Sequence, residues 1–134
     1  MDTDKIREFI KGIELFSTLE DDELGLLLDK VEVKNLDRGD VLIRENHPRW
    51  KVYFIYEGKV VLFKTTPYGD EKKIGVFTKS DFLGEAALFE DSPHSASARA
   101  EEKTTVISIK KEKFFSLFEN NGLISIEKHT LFYM

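Results

Sequence analysis

The chain has 134 residues, of which 41% are hydrophobic and 12% aromatic, enough to fill the core of one domain. It contains no cysteine, which excludes disulfide scaffolds, thiolate metal sites and thiol redox chemistry and makes a cytoplasmic protein the expectation. The net charge is −5 with both signs interspersed, so no basic face for nucleic acid is expected, and no apolar run approaches the ~18 residues of a membrane span.

The first 30 residues have the spacing of short helices. Apolar residues recur at helical intervals between positions 9 and 16, and Ser17 or Thr18 is a candidate N-cap for a second helix. Acidic residues at 20–23 load the first turn of that helix and complement its dipole. Its predicted buried stripe consists of Leu24, Leu27, Leu28 and Val31. Residues 1–30 are therefore predicted to form N-terminal helices.

Residues 31–110 are rich in Val, Ile, Phe, Tyr and Thr, in short segments separated by glycines. Hairpin turns are predicted at Glu57-Gly58 and at Tyr68-Gly69-Asp70, because glycine accepts a positive φ. The predicted strands cover 31–36, 40–44, 51–57, 59–65, 71–77, 95–100 and 103–110. Regular short strands of this kind favour a sandwich or a jelly-roll β-barrel.

The tail returns to helical spacing after residue 110. An apolar patch (Phe114, Phe115, Leu117 and Phe118) precedes a break at Asn120-Asn121-Gly122, and a short helix restarts from Leu123 to Phe132. The predicted fold class is α+β and mainly β: a double-stranded β-helix, or jelly-roll barrel, flanked by helices. We expect a single domain over 1–134, with N-terminal helices at 1–30, the barrel at 31–110 and C-terminal helices at 111–134.

The most informative segment runs from Phe82 to Ala100 and reads FLGEAALFEDSPHSASARA. A tight glycine, a carboxylate, two alanines and an apolar turn would place backbone N–H groups at the start of a helical turn, which is an anion site. Pro93, His94 and Ser95 then lead into a segment with further hydrogen-bond donors. The segment therefore predicts a pocket for a small anionic ligand.

In their order and spacing, several segments resemble the cyclic nucleotide-binding domain family. This family forms the regulatory module of catabolite-activator-type regulators, cyclic-nucleotide-dependent kinases and gated channels. The resemblance covers nearly the whole chain. It is carried by Leu15-Phe16 with Leu19 and Glu23-Leu24, by Gly39 to Ile43, by Tyr53 to Val60, by Gly69 to Glu71, and by the cassette from Asp81 to Leu88.

The resemblance implies roles for individual residues of the cassette. Gly84 and the amides that follow it would approach a cyclic phosphate, and Glu85 would accept from the ribose 2′-hydroxyl. In the family an arginine after the proline pairs with the phosphate, but His94 stands at that position here. Arg99 is five residues further along, and we expect it to face the opposite side from His94. The predicted ligand-binding residues are Phe82, Leu83, Gly84, Glu85, Ala86, Ala87, His94, Ser95 and Ala96.

Histidine is a weaker phosphate ligand than arginine, because it offers fewer donors and is mostly neutral at pH 7. The loss of a charge-assisted bond worth ~1.5–3 kcal/mol would weaken binding roughly ten- to a hundredfold. A bound phosphate would in turn favour the protonated histidine. The alternative interpretation of His94 is a surface loop residue without a ligand role. Ser95 and Ser97 either donate to the phosphate or bond to nearby backbone.

Other side chains of note have plainer interpretations. Trp50, Tyr53 and Tyr56 are expected in the core or in cross-strand pairs rather than stacked on a purine. The three histidines are too scattered to indicate a metal site. No nucleophile elbow, P-loop or paired-histidine motif supports catalysis, so we expect neither an enzyme nor a cofactor.

The leading hypothesis is a non-enzymatic ligand-sensing module that binds cAMP, cGMP or a related phosphate ligand and couples binding to movement of the C-terminal helices. The second hypothesis is a degenerate domain that senses another anion, or that binds a partner protein or a second copy through its C-terminal helix. The third is the sensor part of a transcription regulator whose DNA-binding unit is absent, because the chain stops at Met134.

Overall fold

The structure of the chain is a computed structural model that describes residues 2–17, 19–48, 50–83 and 93–119. Three α-helices lie in this part of the chain: α1 (Thr3–Lys11), α2 (Asp21–Leu28) and α3 (Lys111–Glu119), with a 3-10 turn at Glu14–Phe16. The strands of the same part are β1 (Val31–Leu36), β2 (Val41–Ile43), β3 (Lys51–Glu57), β4 (Val60–Thr65), β5 (Glu71–Phe77), β6 (Phe82–Leu83), β7 (Ser97–Ala100) and β8 (Thr104–Lys110).

The strands form two four-stranded sheets, with the orders β1-β8-β3-β6 and β2-β7-β4-β5. Every pairing is antiparallel. Only β4 and β5 are consecutive strands of the same sheet, and the chain changes sheet at each of the remaining connections between the described strands, which is the jelly-roll arrangement. The predicted fold class, a mainly β jelly roll flanked by helices, is therefore confirmed.

The two predicted hairpin turns have different outcomes. The turn at Gly69, where φ is +89°, joins the paired strands β4 and β5 and is a true hairpin. The turn at Gly58, where φ is +109°, leads from one sheet to the other, so the hairpin predicted there is wrong. Gly58 packs so closely on the start of β8 that a Cβ would lie 2.7 Å from the Lys103 carbonyl oxygen. The absence of a side chain at Gly58 lets the chain cross the start of β8 on its way into the second sheet.

The two central strands of the first sheet, β3 and β8, are buried on both faces. On one face, Val52 and Phe54 of β3 and Ile107 of β8 pack against the helices, where Ile10 and Phe114 are among the buried partners. On the other face, Ile55, Val106 and Leu83 pack against the second sheet. Burial on both faces explains why β3 and β8 read as nearly continuous apolar runs instead of alternating patterns.

The start of α2 differs from the sequence-based prediction. Its N-cap is Glu20, whose amide donates to the Glu23 carboxylate at 3.0 Å. Ser17, one of the two predicted caps, instead donates from its hydroxyl to the Glu14 carbonyl at 2.7 Å. The other, Thr18, lies outside the described residues. The prediction was wrong because the capping carboxylate comes from within the helix, three residues after the cap.

The aromatic side chain of Phe114 anchors helix α3 on the core. Phe114 is 0% exposed and packs edge-on against Phe16 at 6.0 Å between ring centroids. Val31, predicted as the end of the helical stripe, begins β1 instead and packs at the edge of the same core cluster. The predicted break at 120–122 and the predicted helix at 123–132 lie outside the described residues.

Candidate functional site

The predicted cassette connects the two sheets. At its start, Leu83 of β6 pairs with Tyr53 of β3. At its end, the His94 amide donates to the His47 carbonyl at 2.9 Å, and the Asn46 amide donates to the His94 carbonyl at 2.9 Å. Both ends are therefore attached to one short stretch of chain, residues 46–53. Residues 84–92, which include Gly84, Glu85, Ala86 and Ala87, lie outside the described residues, and their roles stay predictions.

Most of the predicted ligand-binding residues that flank this segment pack in the core. Phe82 stacks on Phe54 with 4.6 Å between ring centroids and an interplanar angle of 25°. Leu83 is buried between the sheets, and Ala96 is also buried. Ser95 is exposed. Since their side chains are engaged in packing, Phe82 and Leu83 would meet a ligand mainly through their backbone.

His94 is a buried residue, with only 8% of its surface exposed. The alternative interpretation expected a surface residue at His94, and this expected exposure is wrong. Two backbone hydrogen bonds attach His94 to residues 46 and 47 of the β2–β3 loop. The structure therefore places a buried imidazole at the position that the family resemblance assigns to the phosphate-binding arginine.

Arg99 is engaged elsewhere. Its Nη1 atom lies 2.7 Å from Oε2 of Glu71, and its guanidinium lies 4.4 Å from the centroid of the Phe63 ring. The hydrogen bond from Arg99 holds the pKa of the Glu71 carboxyl below its ordinary value. Its neighbours Ala98 and Ala100 are buried between the sheets, so Arg99 projects from the opposite face of β7. It does not replace the missing cassette arginine.

Ser97 holds the loop that contacts His94. Its hydroxyl oxygen accepts a hydrogen bond from the Glu45 amide at 2.9 Å, across 52 positions of sequence. The backbone-bonding interpretation of Ser97 is therefore confirmed. Through this bond, the first residue of β7 fixes the start of the β2–β3 loop, residues 44–50.

A cavity of about 300 Å³ lies under the β2–β3 loop, and we call it the loop cleft. It opens beside Tyr53 and His47, the residues that carry the two ends of the cassette segment. Its lining consists of Val41, Leu42, Arg44, His47, Pro48, Trp50, Lys51 and Tyr53. Sequence reasoning missed this cleft, because its walls come from one strand of each sheet.

The loop cleft is basic and aromatic. Trp50 is 72% exposed, so its predicted place in the core is wrong. Lys51 lies 3.6 Å from the Glu32 carboxylate, which partly offsets its charge. Burial raises the pKa of the Tyr53 hydroxyl, and the nearby Glu32 charge raises it further. Tyr53 is therefore a neutral hydroxyl at physiological pH, available as a hydrogen-bond donor.

Three carboxylates, Glu20, Asp22 and Glu23, lie close enough together to suggest a cation. They occupy the start of α2, where capping and the helix dipole account for them.

In the described part of the chain, no helix has both the length and the apolar character that a bilayer crossing requires.

The fold is thus a jelly roll flanked by helices, with a connection between its sheets that is attached at both ends. The sequence matches the profile of the Cyclic nucleotide-binding domain over residues 33–121, which is more than half of the chain. The chain therefore belongs to the cyclic nucleotide-binding domain family, as its resemblance indicated. It is a regulatory module of the ligand-sensing type.

Its relatives are regulatory proteins of several kinds. The chain is 31% identical over 113 residues to cGMP-dependent protein kinase 2 of Homo sapiens, a match that covers 83% of this chain and 15% of the kinase. It is 30% identical over 110 residues to the cAMP-dependent protein kinase regulatory subunit of Dictyostelium discoideum, covering 80% of this chain and 34% of the subunit. The chain thus spans a minor part of both relatives.

A solved structure shows the same fold. The sensor domain of the transcriptional regulator DNR from Pseudomonas aeruginosa superposes with a TM-score of 0.83, and the match covers 96% of this chain and 91% of that domain. At 23% sequence identity, this likeness concerns the fold alone.

Proposed function

We propose that this module binds cAMP or cGMP between Leu83 and His94 and catalyses no reaction. The observation that carries the proposal is the anchoring of both ends of the cassette segment on residues 46–53, in a chain of the cyclic nucleotide-binding family. Two of the relatives are named for their dependence on cGMP and cAMP. Their names support the proposed ligand class, and the anchored segment supports the proposed place of binding.

The proposed contacts follow the cassette. Gly84 and the amides of Ala86 and Ala87 would donate to the cyclic phosphate, as backbone N–H groups do at the start of a helical turn. The Glu85 carboxylate would accept from the ribose 2′-hydroxyl, a neutral donor that does not repel it. His94 would face the phosphate as the protonated form, which a nearby negative charge favours.

The proposed output is a movement of α3 and the residues that follow it. Phe114 is buried against Phe16, so any rotation of α3 repacks the helical core cluster. A ligand shifts such an equilibrium only by its difference in affinity for the two states. We further propose that the module is cytoplasmic, contacts no nucleic acid directly, and passes the signal to a second copy or a partner protein through its C-terminal residues.

The test is isothermal titration of cAMP and cGMP into wild type and His94→Arg at pH 6 and pH 8. Histidine changes charge within this range and arginine does not. We expect wild-type binding that strengthens at pH 6, and binding in the variant that is tighter and nearly independent of pH. Heat from the variant but not from wild type would mean that the natural pocket no longer binds cyclic nucleotides. No heat from either protein would overturn the proposal in favour of a protein-interaction module.

A further inference from the structure

The loop cleft carries positive charge that no described residue neutralises. Neither the Arg44 guanidinium nor the His47 imidazole takes part in an ion pair or a side-chain hydrogen bond with another described residue. No carboxylate is among the described residues that line the cleft. The nearby Glu32 is paired with Lys51. An uncompensated arginine in a concave, partly apolar cavity is a place for an anionic group.

The cleft also adjoins the position where the cassette lacks its arginine. The Asn46 amide donates to the His94 carbonyl, and the His94 amide donates to the His47 carbonyl. Asn46 and His47 follow Arg44 closely in the loop. The start of the loop is held further by the hydrogen bond from the Glu45 amide to Ser97. Arg44 therefore belongs to a fixed loop that touches the exit of the cassette, rather than to a free tail.

The aromatic residues of the cleft suit the same ligand class. Trp50 presents an exposed ring and Tyr53 a neutral hydroxyl, beside the cations. Guanidinium groups bind phosphate through a fixed fork of donors, and indole rings stack on nucleobases or sugars. A nucleotide carries both a phosphate for the guanidinium and a base and sugar for the indole ring.

We propose that Arg44 supplies the permanent phosphate-binding charge that position 94 lacks, so that the β2–β3 loop recognises the anionic part of the nucleotide together with the cassette. This inference rests on the proposed function. It makes Arg44 a specificity-determining residue for phosphate, and it places Trp50 at the edge of the bound ligand.

The experiment compares Arg44→Ala and Arg44→Lys with Arg38→Ala, a matched control. Arg38 is also an exposed arginine, and it does not line the loop cleft. Isothermal titration of cAMP and cGMP is run on each protein at pH 7. Because Trp50 is the single tryptophan of the chain, its fluorescence under excitation at long wavelength reports on the cleft directly. Thermal unfolding checks that the variants are folded.

We expect Arg44→Ala to weaken binding about ten- to a hundredfold, as the loss of one charge-assisted bond does, and Arg44→Lys to recover part of the loss. Arg38→Ala should bind with an affinity within about twofold of wild type. In wild type and in Arg38→Ala, Trp50 fluorescence should change as nucleotide is added and should reach a plateau at saturation. If wild type binds and Arg44→Ala binds equally well, the role of Arg44 is refuted while the proposed function stands.

If wild type binds neither cyclic nucleotide, the proposed function fails, and the cleft is then tested alone with 5′-AMP and with inorganic phosphate. A saturable change in Trp50 fluorescence that disappears in Arg44→Ala would support the phosphate site in the cleft. Its absence with both probes, or its persistence in Arg44→Ala, would overturn that site as well.

Discussion

The backbone carbonyl of Trp50 accepts a hydrogen bond from the amide of Lys111 at 2.8 Å. Trp50 ends the loop that lines the cleft, and Lys111 is the first residue of α3. An amide in the first turn of a helix has no partner within the helix, so this one is available to the loop. The bond therefore ties the loop cleft to the helix that leads into the C-terminal part of the chain.

Replacement of Lys111 by proline should break this tie, because proline has no backbone N–H. Proline is well tolerated at the first helical position, and its predecessor Lys110 lies in a strand, as a residue before proline prefers. We expect a loss of about 1 kcal/mol in urea unfolding and a lower fluorescence anisotropy of Trp50. Lys111→Ala, which keeps the amide, is the control. Equal anisotropy in the two variants would show that the bond does not order the loop.

Gly58→Ala should destabilise the barrel far more than Gly69→Ala. Both glycines have positive φ, at +109° and +89°, so both substitutions strain the backbone by about 1–2 kcal/mol. Only at Gly58 does a Cβ also meet backbone, at 2.6 Å from Thr104 Cα, whereas nothing lies within 4 Å at Gly69. Urea unfolding of the two variants measures the difference. A Gly58→Ala variant no less stable than Gly69→Ala would contradict the close packing of the crossover on β8.

Stability should depend less on acid pH in Glu71→Gln than in wild type. The folded-state pKa of Glu71 is depressed by the hydrogen bond from Arg99, so the contribution of this pair is present above the ordinary pKa of about 4.5 and is lost as the pH falls below it. The pair is solvent-exposed, and the expected effect is small. Urea midpoints at pH 7, 4 and 3 measure it. Glu57→Gln, at an exposed carboxylate, should follow wild type, and identical slopes in all three proteins would refute the prediction.

Ser97→Ala should loosen the β2–β3 loop. The variant leaves the part-buried Glu45 amide without its acceptor at 2.9 Å, which costs about 1–3 kcal/mol. Amide hydrogen exchange at Glu45 should accelerate accordingly. Ser95→Ala, at an exposed position, is the matched control and should keep wild-type stability. Unchanged exchange at Glu45 in Ser97→Ala would mean that another group holds the loop.

Local patterns were enough to predict most of the barrel. Predicted and observed strand boundaries differ by at most two residues, because short apolar segments and turn glycines are local signals. The two-residue strand β6 was not predicted, since Phe82-Leu83 becomes a strand only by pairing with Tyr53 and Phe54. For the same reason the turn at Gly58 was mistaken for a hairpin, because strand partners are chosen by packing across the whole sheet.

The candidate site was predicted in part. The family resemblance predicts the cassette and predicts that His94 stands in place of its arginine, and both stay predictions; sequence alone did not show that His94 is buried. The loop cleft was not predicted, because Arg44 and Trp50 carry no recognisable motif and come together only when β2 and β3 join different sheets. An exposed tryptophan is also contrary to the usual burial of large aromatic side chains.

The anchoring of the cassette segment at Tyr53 and at residues 46 and 47 bears on how such a module changes over evolution. Both attachments are made by residues outside 84–92, so a substitution within 84–92 removes neither of them. The attachments at position 94 are backbone hydrogen bonds, which any residue other than proline can make at its amide. The scaffold can therefore persist while the residues at position 94 and between the two attachments change.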